Sequence, residues 1–185
     1  HGIVMSVWVL YFVAQFVLIR TKNIKLHITL GFAGIALAAL VIIVGMITAY
    51  NSHLVRGVAP AGIEPYKFFI IPSADMLLFI VFFGGAIYFR KRPVEHKTLV
   101  LMTAINFSGA AIARIPAVPE KFMLPWAFGT PMVITLLCLG WHTWKNRKLN
   151  KIFALAVLLF VVSIPLRIVI AETSFWQSFT IWLSN

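Results

Sequence analysis

Charged side chains are scarce in this sequence, and their scarcity excludes a water-soluble globular domain. Of the 185 residues only 11% are charged and 61% are hydrophobic, whereas soluble domains carry about 25% charged residues. The sequence has five acidic residues and sixteen lysines and arginines. In a soluble protein this excess of positive charge would indicate nucleic-acid binding. Here the basic residues form short clusters between long apolar runs. We therefore predict an integral membrane protein that does not bind nucleic acid.

Other absences narrow the function. The single cysteine, Cys138, lies inside an apolar run and excludes an internal disulfide. The sequence has no phosphate-binding glycine loop, no C-x-x-C pair and no nucleophile elbow. The sequence therefore shows none of these motifs of soluble enzymes.

Six apolar segments are long enough to cross a bilayer, which takes about 20 residues each. They predict an all-α integral membrane fold, a six-transmembrane-helix bundle that forms a single domain over residues 1–185. The segments are Ile3–Ile19, Ile28–Tyr50, Phe68–Phe89, Thr98–Pro116, Phe122–Trp144 and Ile152–Ala171.

The basic residues alternate between the two ends of these segments. Eleven of the sixteen lie around the first, third and fifth turns, and the opposite ends hold Arg56, Lys67, Arg114, Lys121 and Arg167. Because positive charge is retained in the cytoplasm, the odd-numbered turns are expected there. A multi-pass topology with both termini on the outer side follows.

Proline and glycine predict interruptions near the outer side. The loop 51–67 is rich in both and is predicted not to be helical. Pro125 and Pro131 are expected to delay or kink the fifth segment, and Pro165 to kink the sixth. The aromatic tail 174–184 is too short to span and predicts a helix that lies in the outer membrane interface.

Two basic turns share a pattern. RTKNIKLHITL (20–30) and RKRPVEHKTL (90–99) each leave an apolar run through basic residues and enter the next through His-x-Thr-Leu. We interpret them as a parallel repeat of a helical hairpin, with His27 and His96 at equivalent depths. Two neutral imidazoles facing across a bundle are the axial ligands of a b-type haem. Glycines such as Gly31 are best explained by close helix packing, and they would also leave room beside a helix for a flat cofactor.

Two other interpretations of these histidines remain open. With His142, which lies at the same predicted side, His27 and His96 could form a three-histidine zinc site. Alternatively, each histidine begins a helix at the membrane interface and contacts lipid headgroups.

Three charged residues share a depth near the outer boundary: Asp75, Arg114 and Arg167. At 1.5 Å per residue they lie roughly 22 to 27 Å from the cytoplasmic edge. Because unpaired charge facing lipid is unfavourable, Asp75 is expected to pair with Arg114 or Arg167. The surplus arginine would leave a positive outer pocket suited to a quinone carbonyl, a lipid headgroup or a small acid.

The first hairpin resembles that of the two-haem, ascorbate-reducible b-type cytochromes. The opening HGIVMSVW, the spanning run and LHITLG carry the resemblance over about 35 residues. It implies His1 as a ligand of an outer haem and His27 as a ligand of an inner haem, with His96 as the inner partner. The third segment has no histidine where the family has its third ligand.

Over its full length the chain is similar to a family of uncharacterised bacterial multi-pass membrane proteins. The shared motifs are the HG start, LH-x-x-LG (26–31), Pro-x-x-Asp-x-Leu-Leu-Phe (72–79) and HK-x-L-x-L-M (96–102). This similarity implies a bacterial protein of the cytoplasmic (inner) membrane and no particular activity.

We therefore expect a small cytochrome b-like electron-transfer protein in the lipid bilayer. One haem b would lie between the second and fourth helices, with a redox partner, or a quinone, at the outer pocket. A non-catalytic membrane subunit, which packs against other subunits and binds lipid or pigment, is the first alternative. A small-molecule transporter is the second.

Overall fold

The protein is α-helical in a computed structural model that describes residues 1–60, 62–115, 119 and 122–184, with no β-strand among them. A π-helical turn, Tyr50–Val55, continues the second helix. The helices are α1 (Gly2–Arg20), α2 (Ile24–Ala49), α3 (Pro65–Phe68), α4 (Ile70–Tyr88), α5 (Pro93–Ile112), α6 (Met123–Asn146), α7 (Lys151–Ala171) and α8 (Ser174–Ser184). The all-helical prediction is confirmed for this part of the chain.

Within the described part of the chain, five helical stretches are long and apolar enough to cross a membrane. They are α1, α2 with its π-helical turn, α3 with α4, α6 and α7. Helix α5 is of spanning length, with 20 residues, but its first turns contain Glu95, His96 and Lys97, which lower its hydropathy. The prediction of several helices that are long and apolar enough to cross a membrane is therefore confirmed, and the count of six spans stays a prediction. Pro116, the last residue of the fourth predicted segment, lies outside the described residues, as does Lys121, one of the basic residues assigned to the outer ends.

The helices divide into two compact units, His1–Pro72 and Ser73–Leu183. In the first unit α1 and α2 form a hairpin with a tight turn. Lys22 takes a left-handed conformation, φ 59°, and the side chain of Asn23 caps α2 by accepting from the Leu26 N–H, 3.3 Å. Helix α2 therefore begins four residues before its apolar run, because a helix begins at its cap.

The two helices of this hairpin are joined by a polar contact. The Tyr11 hydroxyl donates to the Leu30 carbonyl, 2.8 Å, and accepts from Gln15 Nε2, 2.6 Å. Gly34 makes room for the tyrosine, since a Cβ there would overlap the Tyr11 hydroxyl. A side-chain hydrogen bond thus joins α1 to α2, which is favourable in lipid.

The prediction that residues 51–67 are not helical is wrong at both ends. The π-helical turn carries the helix to Val55, and α3 begins at Pro65, where a proline is tolerated because the first N–H of a helix has no partner. Between them the chain turns at Gly57 and Gly62, whose φ angles of +64° and +80° favour glycine.

In the second unit α4, α5 and α7 enclose an apolar core. Phe82 and Met102 are fully buried, and Phe153 and Phe160 are nearly so. Between helices in lipid, such side chains stabilise the bundle through close packing rather than by leaving water. The core includes Ala86, near the end of α4, which lies beside the candidate site described below.

Helix α6 packs against α5 at an unusual place. Pro131 lies inside α6 and has no N–H to donate to the Ala127 carbonyl four residues earlier. A Cβ at Gly109 of α5 would lie 2.6 Å from that carbonyl oxygen. A glycine therefore allows the two backbones to approach where the proline has freed a carbonyl. Helix α6 begins at Met123 and is not delayed, so of the two effects expected from its prolines only the kink stays a prediction.

Two capped turns and a short amphipathic helix complete this unit. Arg147 ends α6 with φ 51°, and the Asn150 side chain caps α7 by accepting from the Phe153 N–H, 2.9 Å. The Thr173 hydroxyl accepts from the backbone N–H of Trp176 at the start of α8. The predicted C-terminal helix is thus confirmed as a helix, with Trp182 exposed and Trp176 buried.

Candidate functional site

The second unit holds a buried ion pair that joins two helices. Arg167 Nη1 of α7 lies 2.7 Å from Asp75 Oδ1 of α4, and the two side chains are 5% and 17% exposed. Arg167 lies four residues before Ala171 and seven after Phe160, and these three share the buried face of α7. The helical spacing of the apolar residues therefore carries the guanidinium inward.

Further contacts hold the guanidinium in place. Arg167 Nη2 donates to the Ser163 hydroxyl one turn earlier at 3.5 Å, and its Cζ lies 5.6 Å from the centre of the Phe128 ring. The face of an aromatic ring attracts a cation, so Phe128 lowers the cost of burying the guanidinium. The sequence did not predict these contacts of Phe128 and Ser163. Only Ser163, four residues before Arg167 on the same helix, could have been expected to bond to the guanidinium.

A third helix joins the pair through an amide. Asn106 of α5 is buried, and its Nδ2 donates to the backbone carbonyl of Asp75, 2.8 Å. Asn106 Oδ1 and Arg167 Nε are buried and have no hydrogen-bond partner among the described residues. The acceptor Asn106 Oδ1 and the donor Arg167 Nε thus remain unsatisfied, although both side chains bond to Asp75 through other atoms. We call Asp75, Asn106 and Arg167 the outer cluster.

Arg114, the other arginine predicted at this depth, is not part of the outer cluster. Its side chain is exposed, and its Nη1 donates to the Ala110 carbonyl of its own helix, 2.5 Å. The outer cluster therefore contains one negative and one positive charge, without the surplus positive charge that the sequence predicted.

His96 lies in the same unit, against the core. It is half-buried, and its Nδ1 is 2.8 Å from the carbonyl oxygen of Ala86. Because a carbonyl can only accept, Nδ1 of His96 is the donor in this contact. The contact joins the beginning of α5 to the end of α4.

His27, in the first unit, has the same place in its own helix. It is the fourth residue of α2, as His96 is of α5. The backbone N–H of each donates to the carbonyl of its N-cap residue, at 3.1 Å for His27 and 2.9 Å for His96. The local equivalence that the sequence pattern suggested is therefore present in each helix, while the repeat as a whole stays a prediction.

The other histidines lie elsewhere. His1 is exposed and precedes α1, and His142 packs edge-on against Phe153, with ring centres 5.7 Å apart. His53, in the π-helical turn, contacts Val58 O through Nδ1 at 2.6 Å. In the described ranges no group of three or more His, Cys, Asp or Glu side chains could hold a metal ion.

One charged group outside the spanning helices has a shifted pKa. Glu64 precedes α3, and hydrogen bonds from Tyr66 and from Lys67 hold the pKa of its carboxyl below the ordinary value. Glu64 Oε2 lies 3.2 Å from Lys67 Nζ, and both side chains are accessible. This pair lies within one helical turn and is not part of the outer cluster.

Comparison with known proteins adds no family to this description. No family model, no curated protein and no solved structure matches the chain.

Proposed function

We propose that this protein is a small cytochrome b-like electron carrier of the bacterial cytoplasmic membrane, in which His27 and His96 hold one haem b. The observation that carries the proposal is the contact between His96 Nδ1 and the Ala86 carbonyl, 2.8 Å. Histidines that ligate metals donate their other ring N–H to a carbonyl or carboxylate in this way, which fixes the ring and directs Nε2 to the metal. The residues present thus fit an axial ligand of haem.

The surroundings of His96 support the same role. Ala86 is fully buried within the apolar core of the second unit. An apolar environment suits a porphyrin. The carbonyl holds the imidazole in one orientation, so no ordering is needed when a ligand binds.

The surroundings of His27 fit a flat group. Gly31 lies one turn after His27, on the same face of α2, and a Cβ at Gly31 would meet no atom of the described residues within 4 Å. The face that carries the imidazole therefore has open space beside it. Gly34, by contrast, is filled by Tyr11.

Haem, when bound, supplies reversible one-electron transfer at its iron. The two imidazoles would bind and orient it, and the apolar side chains around them would exclude water. If His27 and His96 both held the iron, haem would supply electron transfer there and would offer no place for a substrate on the metal.

The topology proposed from the sequence accompanies this function. Three short turns, at residues 21–23, 89–92 and 147–150, follow α1, α4 and α6 and carry most of the basic clusters. If α5 spans, these turns share one side, which the positive-inside rule makes cytoplasmic. The haem would then lie near the cytoplasmic face, and both termini on the outer side, where a redox partner would meet the outer cluster.

The test is a reduced-minus-oxidised visible spectrum of the detergent-purified full chain. We expect a sharp low-spin haem band that is lost in His27→Ala and in His96→Ala. His53→Ala is the matched control, because His53 also holds a carbonyl through Nδ1 yet lies at the other end of α2. A well-folded protein without a haem band, or one that keeps its band in both variants, would exclude the proposal.

The alternative of a non-catalytic subunit has one specific observation in its favour. Only 6% of the spanning window of α1 is buried, so nearly all of its apolar surface faces outward. Such a helix can pack against other membrane subunits as well as against lipid. Co-purification of the chain with stoichiometric membrane partners, together with the absence of haem, would favour this role.

A further inference from the structure

Two turns rich in positive charge lie at the same end of the second unit. Ala86 near the end of α4, Leu99 near the beginning of α5 and Phe153 near the beginning of α7 belong to one core cluster. The ion pair of the outer cluster joins the opposite ends of α4 and α7. The turns that follow α4 and α6, residues 89–92 and 147–150, therefore share the end that is away from the outer cluster.

This end carries a large excess of positive charge. The stretches 90–97 and 145–151, which we call the basic end, contain four lysines and arginines each, and the one acidic residue in them is Glu95. All eight basic side chains are exposed. Like charges at such spacing repel one another unless negative charge comes close, so the basic end attracts anions.

Aromatic side chains beside these charges indicate the surface of a membrane. Trp141 and Trp144, in the last turns of α6, are 63% and 61% exposed, and their ring centres are 5.2 Å apart. Tyr88, the last residue of α4, is 78% exposed. Exposed tryptophan and tyrosine are enriched where the acyl chains of a bilayer meet the headgroups. Because the basic end begins one residue after Trp144 and two after Tyr88, its charges lie at the depth of the lipid phosphates.

Both stretches also expose an apolar side chain among the charges. Leu149, in the turn after α6, is 50% exposed, and Val94, in the first turn of α5, is 42% exposed. At a membrane these side chains gain contact with acyl chains, whereas the charged surface of an acidic water-soluble protein offers them no apolar contact. The turns are also only four residues long, which keeps their cations near the helix ends. Lipid is therefore favoured over a soluble acidic partner.

We propose that the basic end binds the headgroups of anionic phospholipids. Their phosphates pair with lysines and arginines of both turns, while Trp141, Trp144 and Leu149 contact the acyl chains. Phosphate is the chemistry that the basic end recognises, and the surrounding bilayer is its source. The inference goes beyond the proposed function and does not depend on haem.

The test measures quenching of tryptophan fluorescence by brominated lipids in vesicles that contain the full chain. Brominated phosphatidylglycerol, which is anionic, is compared with brominated phosphatidylcholine, which has no net charge. The part of the quenching that is lost in Trp141→Phe/Trp144→Phe reports on the basic end. We expect phosphatidylglycerol to be preferred there by about fivefold or more at low salt, and the preference to shrink at about 1 M salt, which screens exposed charges. Equal quenching by the two lipids, or a preference that salt does not change, would overturn the inference.

Two double variants test the residues. Lys91→Gln/Lys148→Gln removes one charge from each turn, and because each basic residue near an anionic surface contributes about fivefold, the preference should fall by at least that factor. Arg56→Gln/Arg114→Gln is the matched control, since it removes two exposed arginines outside the basic end; the preference should be unchanged. Circular dichroism checks that both variants fold. No loss in the first variant, or an equal loss in both, would show that the basic end is not the site.

Two soluble competitors identify the occupant. Glycerol 3-phosphate has a phosphate without acyl chains, and poly-glutamate represents the surface of an acidic protein. At the charge concentration of the lipid headgroups, neither should displace phosphatidylglycerol from the basic end. Displacement by either would show that a soluble anion or an acidic protein is the occupant and would overturn the inference.

Discussion

Breaking the ion pair between Asp75 and Arg167 should cost far more than replacing it. The two charges are 2.7 Å apart at the nearest atoms and nearly enclosed. With charge centres about 4 Å apart and an effective dielectric constant of about 20, their attraction is about 4 kcal/mol. Desolvation of the two ions costs a similar amount, so the pair as a whole is close to neutral for stability, but either ion alone is not.

A double-mutant cycle separates these effects. Asp75→Asn and Arg167→Gln each leave one uncompensated buried charge and should each lower the free energy of unfolding by about 3–5 kcal/mol. The double variant buries no charge, so its loss should be smaller than either single loss. The coupling free energy between the two substitutions should therefore be several kcal/mol, about 3 or more.

The assay is reversible unfolding in mixed detergent micelles, followed by circular dichroism. The same cycle at Glu64 and Lys67, an exposed pair at 3.2 Å, is the control; exposed pairs contribute little, so coupling there should be far weaker. If the two single substitutions at Asp75 and Arg167 each cost less than about 1 kcal/mol and add without coupling, the pair is solvated and the reasoning fails.

Two further predictions concern the close helix approach and the pH response. Gly109→Ala should destabilise the protein by about 1–3 kcal/mol, because its Cβ would meet the Ala127 carbonyl; Gly129→Ala, with open space around its Cβ, should not. Unfolding curves of the two variants compare them, and equal stabilities would contradict the contact. Because the pKa of Glu64 is lowered in the folded protein, its stabilising effect is present above the carboxyl's unfolded pKa and is lost as pH falls through the folded one. The protection factor of the Phe68 amide, whose N–H donates to the Glu64 carbonyl, should fall on acidification in the wild type and stay level in Glu64→Gln; an equal fall in both proteins would contradict it.

Much of the helical architecture could be predicted from apolar runs, whereas the helix ends could not. The last predicted segment, Ile152–Ala171, differs from α7 by one residue. Helices α2 and α5 begin four or five residues before their predicted segments, at Ile24 and Pro93. Hydropathy marks where side chains become apolar, but a helix begins where a cap or a proline lets the backbone turn.

The outer cluster was predictable in part. A shared depth along the chain brought Asp75 and Arg167 together correctly, because buried charges must be paired. The same depth was misleading for Arg114, since a long side chain near a helix end can reach the carbonyls of its own helix instead. The bond from Asn106 to the Asp75 carbonyl depends on how two helices cross, which the spacing along one helix does not determine.

The proline in α6 and the glycine in α5 have a consequence for sequence variation. Gly109 is free of a side chain where the Ala127 carbonyl, released by Pro131, approaches its backbone. Replacing Pro131 by a residue with an N–H would draw that carbonyl back into the helix. Selection on the two positions is then linked: related sequences that lose the proline should tolerate a larger residue at position 109, and those that keep it should retain glycine.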